Sequence, residues 1–320
     1  MARVELAEAE TMRAAFASEV AEYLQRTPRQ LPSKYFYNSL GSSLFEAICQ
    51  LPWYRITRAE TELLRARARQ ILQPMRRPLS VAELGCGSGD KLAVLIESAD
   101  EQFHAVELVD ISAAALEMTR TRLEAMGVER IVAHQSSYDD GIAQLSERRG
   151  RESMLVLFLG SNIGNFDPPA REELLMRIRR SLRSGDALLL GTDLVKPEPE
   201  LLMAYDDPLQ VTAAFNRNLL LRINHELGGT FDLDGFAHRA IWNGGDQRVE
   251  MHLVSRRAQE VYIAAAGVDI AFAADEWIWT ESSYKYEPAA IVREGLAAGF
   301  ARAEQWIDED ARFALTRFSV

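Results

Sequence analysis

The 320-residue chain carries 36 Lys and Arg against 47 Asp and Glu, a net charge of −11, and is 48% hydrophobic. That length can bury a substantial core in one large or two smaller domains, and the acidic balance argues against nucleic acid or an anionic membrane as partner and for a small soluble substrate. Cys49 and Cys86 lack the spacing of a disulfide framework or a metal site, so no metal is expected and a cytoplasmic location is the default. No apolar run reaches membrane-spanning length, and the amino terminus lacks the basic-then-apolar layout of a signal peptide.

In chain order, residues 5–27 read as a helix, with Leu6, Met12, Phe16, Val20 and Leu24 close to one face. An unusually aromatic stretch follows, KYFYN at 34–38, GSSLFEAIC at 41–49 and LPWY at 51–54. Most of it reads as a hydrophobic lid, but the hydroxyls of Tyr37 and Tyr54 need partners if buried, and a substrate could supply them. Thr57 and Glu60 have the spacing of a capping box, ahead of a helix built on Leu63, Leu64, Ala68 and Ile71.

The stretch VAELGCGSGDK at 81–91 then predicts a strand, a tight turn and a helix start. Glycine at 85, 87 and 89 permits positive φ and close approach of a ligand. Asp90 stands where the dinucleotide motif places its third glycine, so nicotinamide or flavin is the poorer fit. The G-x-G-x-G form preceded by an acidic residue, here Glu83, resembles the cofactor loop of class I methyltransferases that use S-adenosylmethionine. Beyond it, strands are predicted at 103–109, 131–134, 154–159 and 187–190. Helices between them are capped by Ser112 and opened by Asp167 and Pro168. This alternation implies a parallel, right-handed, doubly wound sheet. Ligands bind outside the carboxyl ends of such strands, which nominates Gly85–Gly89, Asp110 and GSNIGNF at 160–166. Asp110 lies about where an acidic group meets ribose hydroxyls in nucleotide-binding sheets.

After Val195 the rhythm breaks. Residues 196–200 read as a proline-punctuated exit, 209–226 as a helix, and 238–286 as alternating strands with a hairpin signal at 243–246. A helix at 289–298 and two strands at 301–307 and 312–320 close the chain. The expected layout is discontinuous, with 60–195 and 287–320 forming the sheet domain and 1–59 with 196–286 a second body. In the segment WIWTESSYKY at 277–286, strand periodicity puts Trp277, Trp279, Glu281, Ser283 and Lys285 on one face. A carboxylate beside a hydroxyl would satisfy a ligand with two nitrogens, such as imidazole; a solvent-facing edge is the plainer alternative.

Taken together, LPWYRITRAE at 51–60, FLGSNIGN at 158–165, LLGTDLVK at 189–196, AYDD at 204–207, VTAAFNRN at 211–218 and TESSYKY at 280–286 strongly resemble the histidine-specific methyltransferases of ergothioneine biosynthesis, over nearly the full length and in the same order. The resemblance implies an α/β fold, a class I Rossmann-like doubly wound sheet with a second, α+β substrate-binding domain formed by the N-terminal segment and an insertion. It implies transfer of three methyl groups from S-adenosylmethionine to the α-amine of L-histidine, giving hercynine, with the mono- and dimethyl forms as further substrates. On that resemblance Tyr54, Asn165 and Tyr205 hold the amine and carboxylate end, Glu281 and Ser283 grip the imidazole, and Met251 belongs to the same substrate set. Gly85, Gly87, Lys91 and Asp110 hold the cofactor. Tyr37 or Tyr54 orients the amine and relays its proton. Where the family places an Asp–aromatic pair against adenine, this chain has Ser137 and Tyr138; Asp139 or Asp140 could replace the carboxylate. A monomer with no nucleic-acid or membrane partner is expected. The alternatives are methylation of another amino acid or a tryptophan-derived amine, and a non-catalytic S-adenosylmethionine-binding module.

Overall fold

The structure, a computed structural model, describes residues 2–99 and 102–320, with the side chains of 2–9 outside the description. Leu6, assigned above to the apolar face of the first helix, is therefore outside the described side chains. The chain divides into two compact units, residues 1–54 with 198–282 and residues 55–197 with 283–320.

The first helix, α1 (Ala2–Leu24), buries Phe16, Val20 and Leu24, whereas Met12 is exposed despite its predicted place on the apolar face. A two-residue strand β1 (Arg29–Gln30) precedes α2 (Ser39–Gln50), whose first turn is capped by Asn38 Oδ1 accepting from the Gly41 amide at 2.8 Å. Next comes α3 (Ile56–Leu72), and here the expected capping box is absent. The helix starts after Arg55 with no side-chain cap, Thr57 lies inside it, and Glu60 is fully buried. Tertiary partners claim that carboxylate instead.

The alternation that follows is β2 (Leu79–Leu84), α4 (Asp90–Glu97), β3 (Val106–Asp110), α5 (Ala113–Ala125), β4 (Ile131–Gln135), α6 (Tyr138–Glu147), β5 (Ser153–Phe158), α7 (Pro168–Ser181) and β6 (Ala187–Asp193). Ser112 and Asp167 cap α5 and α7 as their positions predict. All of β2 and β6 is buried, as strands covered on both faces must be. After β6 the chain forms α8 (Glu198–Tyr205), α9 (Val211–Leu227) and five strands, β7 (Phe236–Asn243), β8 (Arg248–Ser255), β9 (Gln259–Ile263), β10 (Val268–Phe272) and β11 (Trp277–Tyr284). α8 replaces part of the expected proline-rich exit; Pro199 sits in its first turn, where proline is tolerated. The chain ends with α10 (Pro288–Ala297), β12 (Arg302–Asp308) and β13 (Phe313–Ser319).

In the second unit, seven strands are ordered β12-β13-β6-β5-β2-β3-β4. β6, β5, β2, β3 and β4 are mutually parallel, and β13 and β12 add antiparallel at one end. The chain runs from β2 outward through β3 and β4, then returns to β5 and proceeds the other way. The order therefore reverses between β2 and β5, and the ends of these strands flank the crevice where such sheets take ligands. In the first unit, β1, β11, β8 and β7 form a four-stranded sheet, and β9 pairs with β10. The units break at 54/55, 197/198 and 282/283. α3 packs as a whole on α4 and β13, and Tyr286 pairs with Leu194.

Asp186, 2% exposed at the start of β6, locks β5 to β6. It pairs with Arg149 and accepts from the Met154 amide at 2.9 Å and the Arg183 amide at 2.5 Å. Asp186→Ala should cost about 3–5 kcal/mol, since the buried Arg149 guanidinium loses its counter-charge. Chemical denaturation of the variant beside wild type measures it.

Candidate active site

In the second unit the β2–α4 turn has Gly85, Gly87 and Gly89 at φ of 79°, 52° and 72°, the left-handed region that a side chain resists. A Cβ at Gly85 would lie 2.9 Å from the Tyr138 hydroxyl, while one at Gly87 would meet nothing within 4 Å. The loop is thus crowded behind and open in front. Asp110, at the end of β3, accepts from the Gly87 amide at 3.3 Å and the Ser112 amide at 2.9 Å. Burial raises its pKa against these two hydrogen bonds. Cys86 is buried, and desolvation first, then the charges of Glu83 and Asp110, push its thiol up, so it is no thiolate nucleophile.

Glu83, 2% exposed on β2, is the most perturbed carboxyl of the loop. Desolvation raises it to about 8 against the opposing pull of Lys91, and its Oε2 has no hydrogen-bond partner. A buried, unpartnered acid oxygen beside an open glycine cradle is suited to a ligand carrying donors or positive charge. Lys91 Nζ, at the start of α4, lies 2.7 Å from Glu60 Oε2. The two Glu60 oxygens also accept from the Gly160 amide, at 2.9 and 2.8 Å. This residue, read from the sequence as a helix cap, instead joins α3, α4 and the end of β5.

Tyr138 opens α6 and meets Phe158 edge-on at 5.2 Å, and Ser137 caps the same helix by accepting from the Asp140 amide. The two acids named as substitutes for the missing adenine carboxylate both have protein partners. Asp139 pairs with Arg177, and Asp140 accepts from Ser137 Oγ at 2.8 Å. Beyond β5, a 3-10 turn spans Asn162–Asn165 and leaves Asn165 exposed. A Cβ at Gly164 would sit 2.9 Å from the Tyr284 carbonyl, which explains the glycine. Ser283 is buried, and its Oγ accepts from Lys285 Nζ at 2.9 Å. Lys285 in turn pairs with Asp193 at 2.9 Å.

In the first unit the aromatic residues singled out in the sequence converge. Tyr37 packs edge-on against Phe45 at 5.7 Å, Phe45 against Tyr54 at 6.3 Å, and Tyr54 against Tyr205 at 6.3 Å. Tyr205 ends α8, and its carbonyl accepts from His238 Nε2 at 2.8 Å, while Asn216 Nδ2 donates to His238 Nδ1 at 2.9 Å. A carbonyl can only accept, so Nε2 carries the proton and the ring is neutral, in keeping with burial lowering its pKa. Met251 is buried on β8, its carbonyl accepting from Thr280 Oγ1 at 2.9 Å. Glu281 is half-buried on β11, and its carbonyl accepts from Trp279 Nε1 at 2.8 Å.

Sequence reasoning did not single out Asp193 or His238, read Glu60 as a helix cap, and placed Lys285 on the Ser283 face without foreseeing its pairing with Asp193. Asp193 was within reach, since it ends β6 and strand ends are where such sheets hold ligands. Among the described residues no group of three or more His, Cys, Asp or Glu could hold a metal ion, and no helix is long and apolar enough to cross a membrane.

A family described as histidine-specific, SAM-dependent methyltransferase matches residues 16–320. The chain is 41% identical over 306 residues to a histidine N-alpha-methyltransferase of Mycobacterium tuberculosis, covering 94% of each chain. It is 38% identical, with the same coverage, to the enzyme of that name from Mycolicibacterium smegmatis. It is 27% identical to ergothioneine biosynthesis protein 1 of Schizosaccharomyces pombe, over 90% of this chain and 39% of that one.

Glu83 also couples stability to pH. Its folded-state pKa of about 8 lies above its ordinary 4.5, so the folded chain holds a proton that the unfolded one has released. The stabilisation this gives is full below pH 4.5 and is lost as pH rises through about 8. Glu83→Gln should flatten the decline in unfolding midpoint between pH 5 and 8, as read by thermal denaturation of the ligand-free protein.

Proposed function

Since the chain belongs to the histidine-specific, S-adenosylmethionine-dependent methyltransferase family, we propose that it methylates the α-amine of L-histidine, carrying it to the trimethyl betaine hercynine in ergothioneine biosynthesis. The observation that carries this reading is the 41% identity to a histidine N-alpha-methyltransferase over 94% of both chains. The Gly85–Gly89 cradle with its unpartnered Glu83 oxygen supports the choice of donor.

S-adenosylmethionine, when bound, supplies an activated methyl group on a sulfonium. The remaining work is positioning. Gly85 and Gly87 give the donor backbone to lie against, Lys91 offers a cation to its carboxylate, and Asp110 accepts from ribose hydroxyls. Ser137 and Tyr138 take the adenine end, with Tyr138 supplying the ring face. Tyr54, Asn165 and Tyr205 hold the amino acid's carboxylate and amine end. Glu281, Ser283 and Met251 receive the ring. α-Amines titrate at about 7.7–8.0 in peptides and higher in free amino acids, so only a minor fraction is unprotonated at pH 7. Tyr37 and Tyr54 therefore orient the amine and pass its proton to water. Neither needs to be a strong base, because the proton must only leave before the lone pair attacks.

Three measurements test this. Incubation with S-adenosylmethionine and each amino acid in parallel, read by mass spectrometry, should add methyl increments to histidine alone. Increments on another amino acid or a tryptophan-derived amine would redirect the assignment, and none at all would leave a binding module. Glu281→Ala should weaken histidine binding by about 1.5–3 kcal/mol, typical of a charge-assisted hydrogen bond, and leave S-adenosylhomocysteine binding intact in calorimetry. Tyr37→Phe and Tyr54→Phe should each lower the rate most at the acid end of a pH 6–9 profile, where the amine needs most help to lose its proton; unchanged profiles would remove the relay.

A further inference from the structure

Tyr37 stands at the apex of a tight bend that follows a 3-10 turn over Ser33–Phe36. Its φ of −90° and ψ of 57° are close to those of the central residue of an inverse γ-turn, and the Asn38 amide closes the bend by donating to the Phe36 carbonyl at 3.1 Å. One hydrogen bond across three residues is a modest hold. A second hold comes from α9, where Asn218 Nδ2 donates to the Phe36 carbonyl at 3.3 Å and to Asn38 Oδ1 at 2.9 Å. These are the residues on either side of Tyr37.

The orientation of the Asn218 amide follows from its partners. A carbonyl can only accept, and the Gly41 amide, donating at 2.8 Å, fixes the facing atom of Asn38 as its oxygen. Asn218 must therefore turn both of its N–H donors to the bend. Its own Oδ1 is left buried without a partner, and the residue is 3% exposed. For packing alone an amide is a poor choice there, since a leucine fills a similar volume and leaves no bare oxygen. What the amide adds is its grip on the bend. The same stripe of α9 extends that grip on both sides of Asn218, at spacings of three and four residues. Phe215 stacks on Phe36 at 4.6 Å and meets the Tyr37 ring edge-on at 5.8 Å, and Arg222 Nη1 donates to the Tyr35 carbonyl at 3.0 Å. The first turn of α2 lies against the same carbonyl of Phe36, with which a Cβ at Gly41 would collide.

We propose that Asn218 is a positioning residue for the methyl transfer, which fixes where the Tyr37 hydroxyl meets the substrate amine by clamping the backbone before and after Tyr37. This rests on the reading of Tyr37 as a residue that orients the amine. Asn218 acts through Tyr37 alone in this scheme.

Steady-state rates with L-histidine and S-adenosylmethionine across a pH series test the proposal, with Tyr37→Phe as the reference. Asn218→Ala should reproduce the Tyr37→Phe profile, a loss of about tenfold at the acid end, within the roughly 10²-fold that an ångström of misplacement costs. The loss should shrink toward the alkaline end, where the amine is already unprotonated. Adding Asn218→Ala to Tyr37→Phe should slow the enzyme by less than about twofold more, because the two changes remove one interaction. A loss that is equal at every pH, additive losses in the double variant, or an unchanged rate would show that Asn218 is merely structural and overturn the proposal. Should Asn218→Ala lose its cooperative thermal unfolding, Asn38→Ser decides alone, since serine still caps α2 but withdraws the oxygen that Asn218 holds. An acid-end loss in Asn38→Ser that disappears in the Tyr37→Phe background supports the proposal, and any other pattern overturns it. A Tyr37→Phe profile identical to wild type would instead remove the relay, and this inference with it, while a wild type inactive on histidine would overturn the histidine reading itself.

Discussion

The carboxylate of Glu60 is the contact on which the glycine-loop end of the second unit depends. It has no exposed surface, yet it lies where α3, the start of α4 and the end of β5 come together. An unpaired carboxylate in that position would be strongly disfavoured; this one is compensated by the Lys91 ammonium at 2.7 Å and by the Gly160 amide. Its bulk also dictates neighbours, for a Cβ at Gly191 of β6 would collide with its Oε1. Gly191 and Lys91, on separate elements, are thus explained by one acid on a third. The same contact orders Lys91 in the first turn of α4, directly after the glycine bend, so the loop's shape and its cation are set together.

A comparable economy operates in the first unit, with rings in place of charge. Tyr37, Phe45, Tyr54 and Tyr205 touch in sequence through edge-on contacts, a geometry that adds modest attraction to the area each ring buries. The backbone beneath Tyr205 is fixed separately. His238, neutral and with its proton on Nε2, holds the Tyr205 carbonyl, and Asn216 holds His238. Asp207 then caps α9 by accepting from the Val211 and Thr212 amides at 3.2 and 2.7 Å. The short span between α8 and α9 is therefore held at both ends.

What the sequence made legible was local. The glycine bend, the Ser112 and Asp167 caps, the apolar run of β5 and the hairpin at 243–246 each announce themselves within a few residues, because turn and cap chemistry is short-range. What it hid was long-range. Glu60 and Gly160 are 100 residues apart, and nothing near Glu60 signals its partners. Worse, Thr57 three residues earlier supplied a plausible local role that tertiary structure overrides. Lys285 shows the same limit. Periodicity placed it on a face with Ser283, but only the fold brings Asp193 and Lys196 to the same spot. Ser137 is the opposite case, a departure from an expected acid that proves to have its own local employment as the cap of α6.

The seven-stranded sheet also has to end somewhere, and β12 shows how. An outermost strand offers a row of unpaired amides and carbonyls that another polypeptide could extend. Along β12 the residues Arg302, Glu304, Gln305 and Asp308 are polar, and Glu304 is tied to Arg317 of the neighbouring strand at 2.7 Å. Laying a further strand alongside would strip water from these charges without offering them new counterparts. The polar margin thus keeps a strongly β-forming, fully buried interior from recruiting copies of itself.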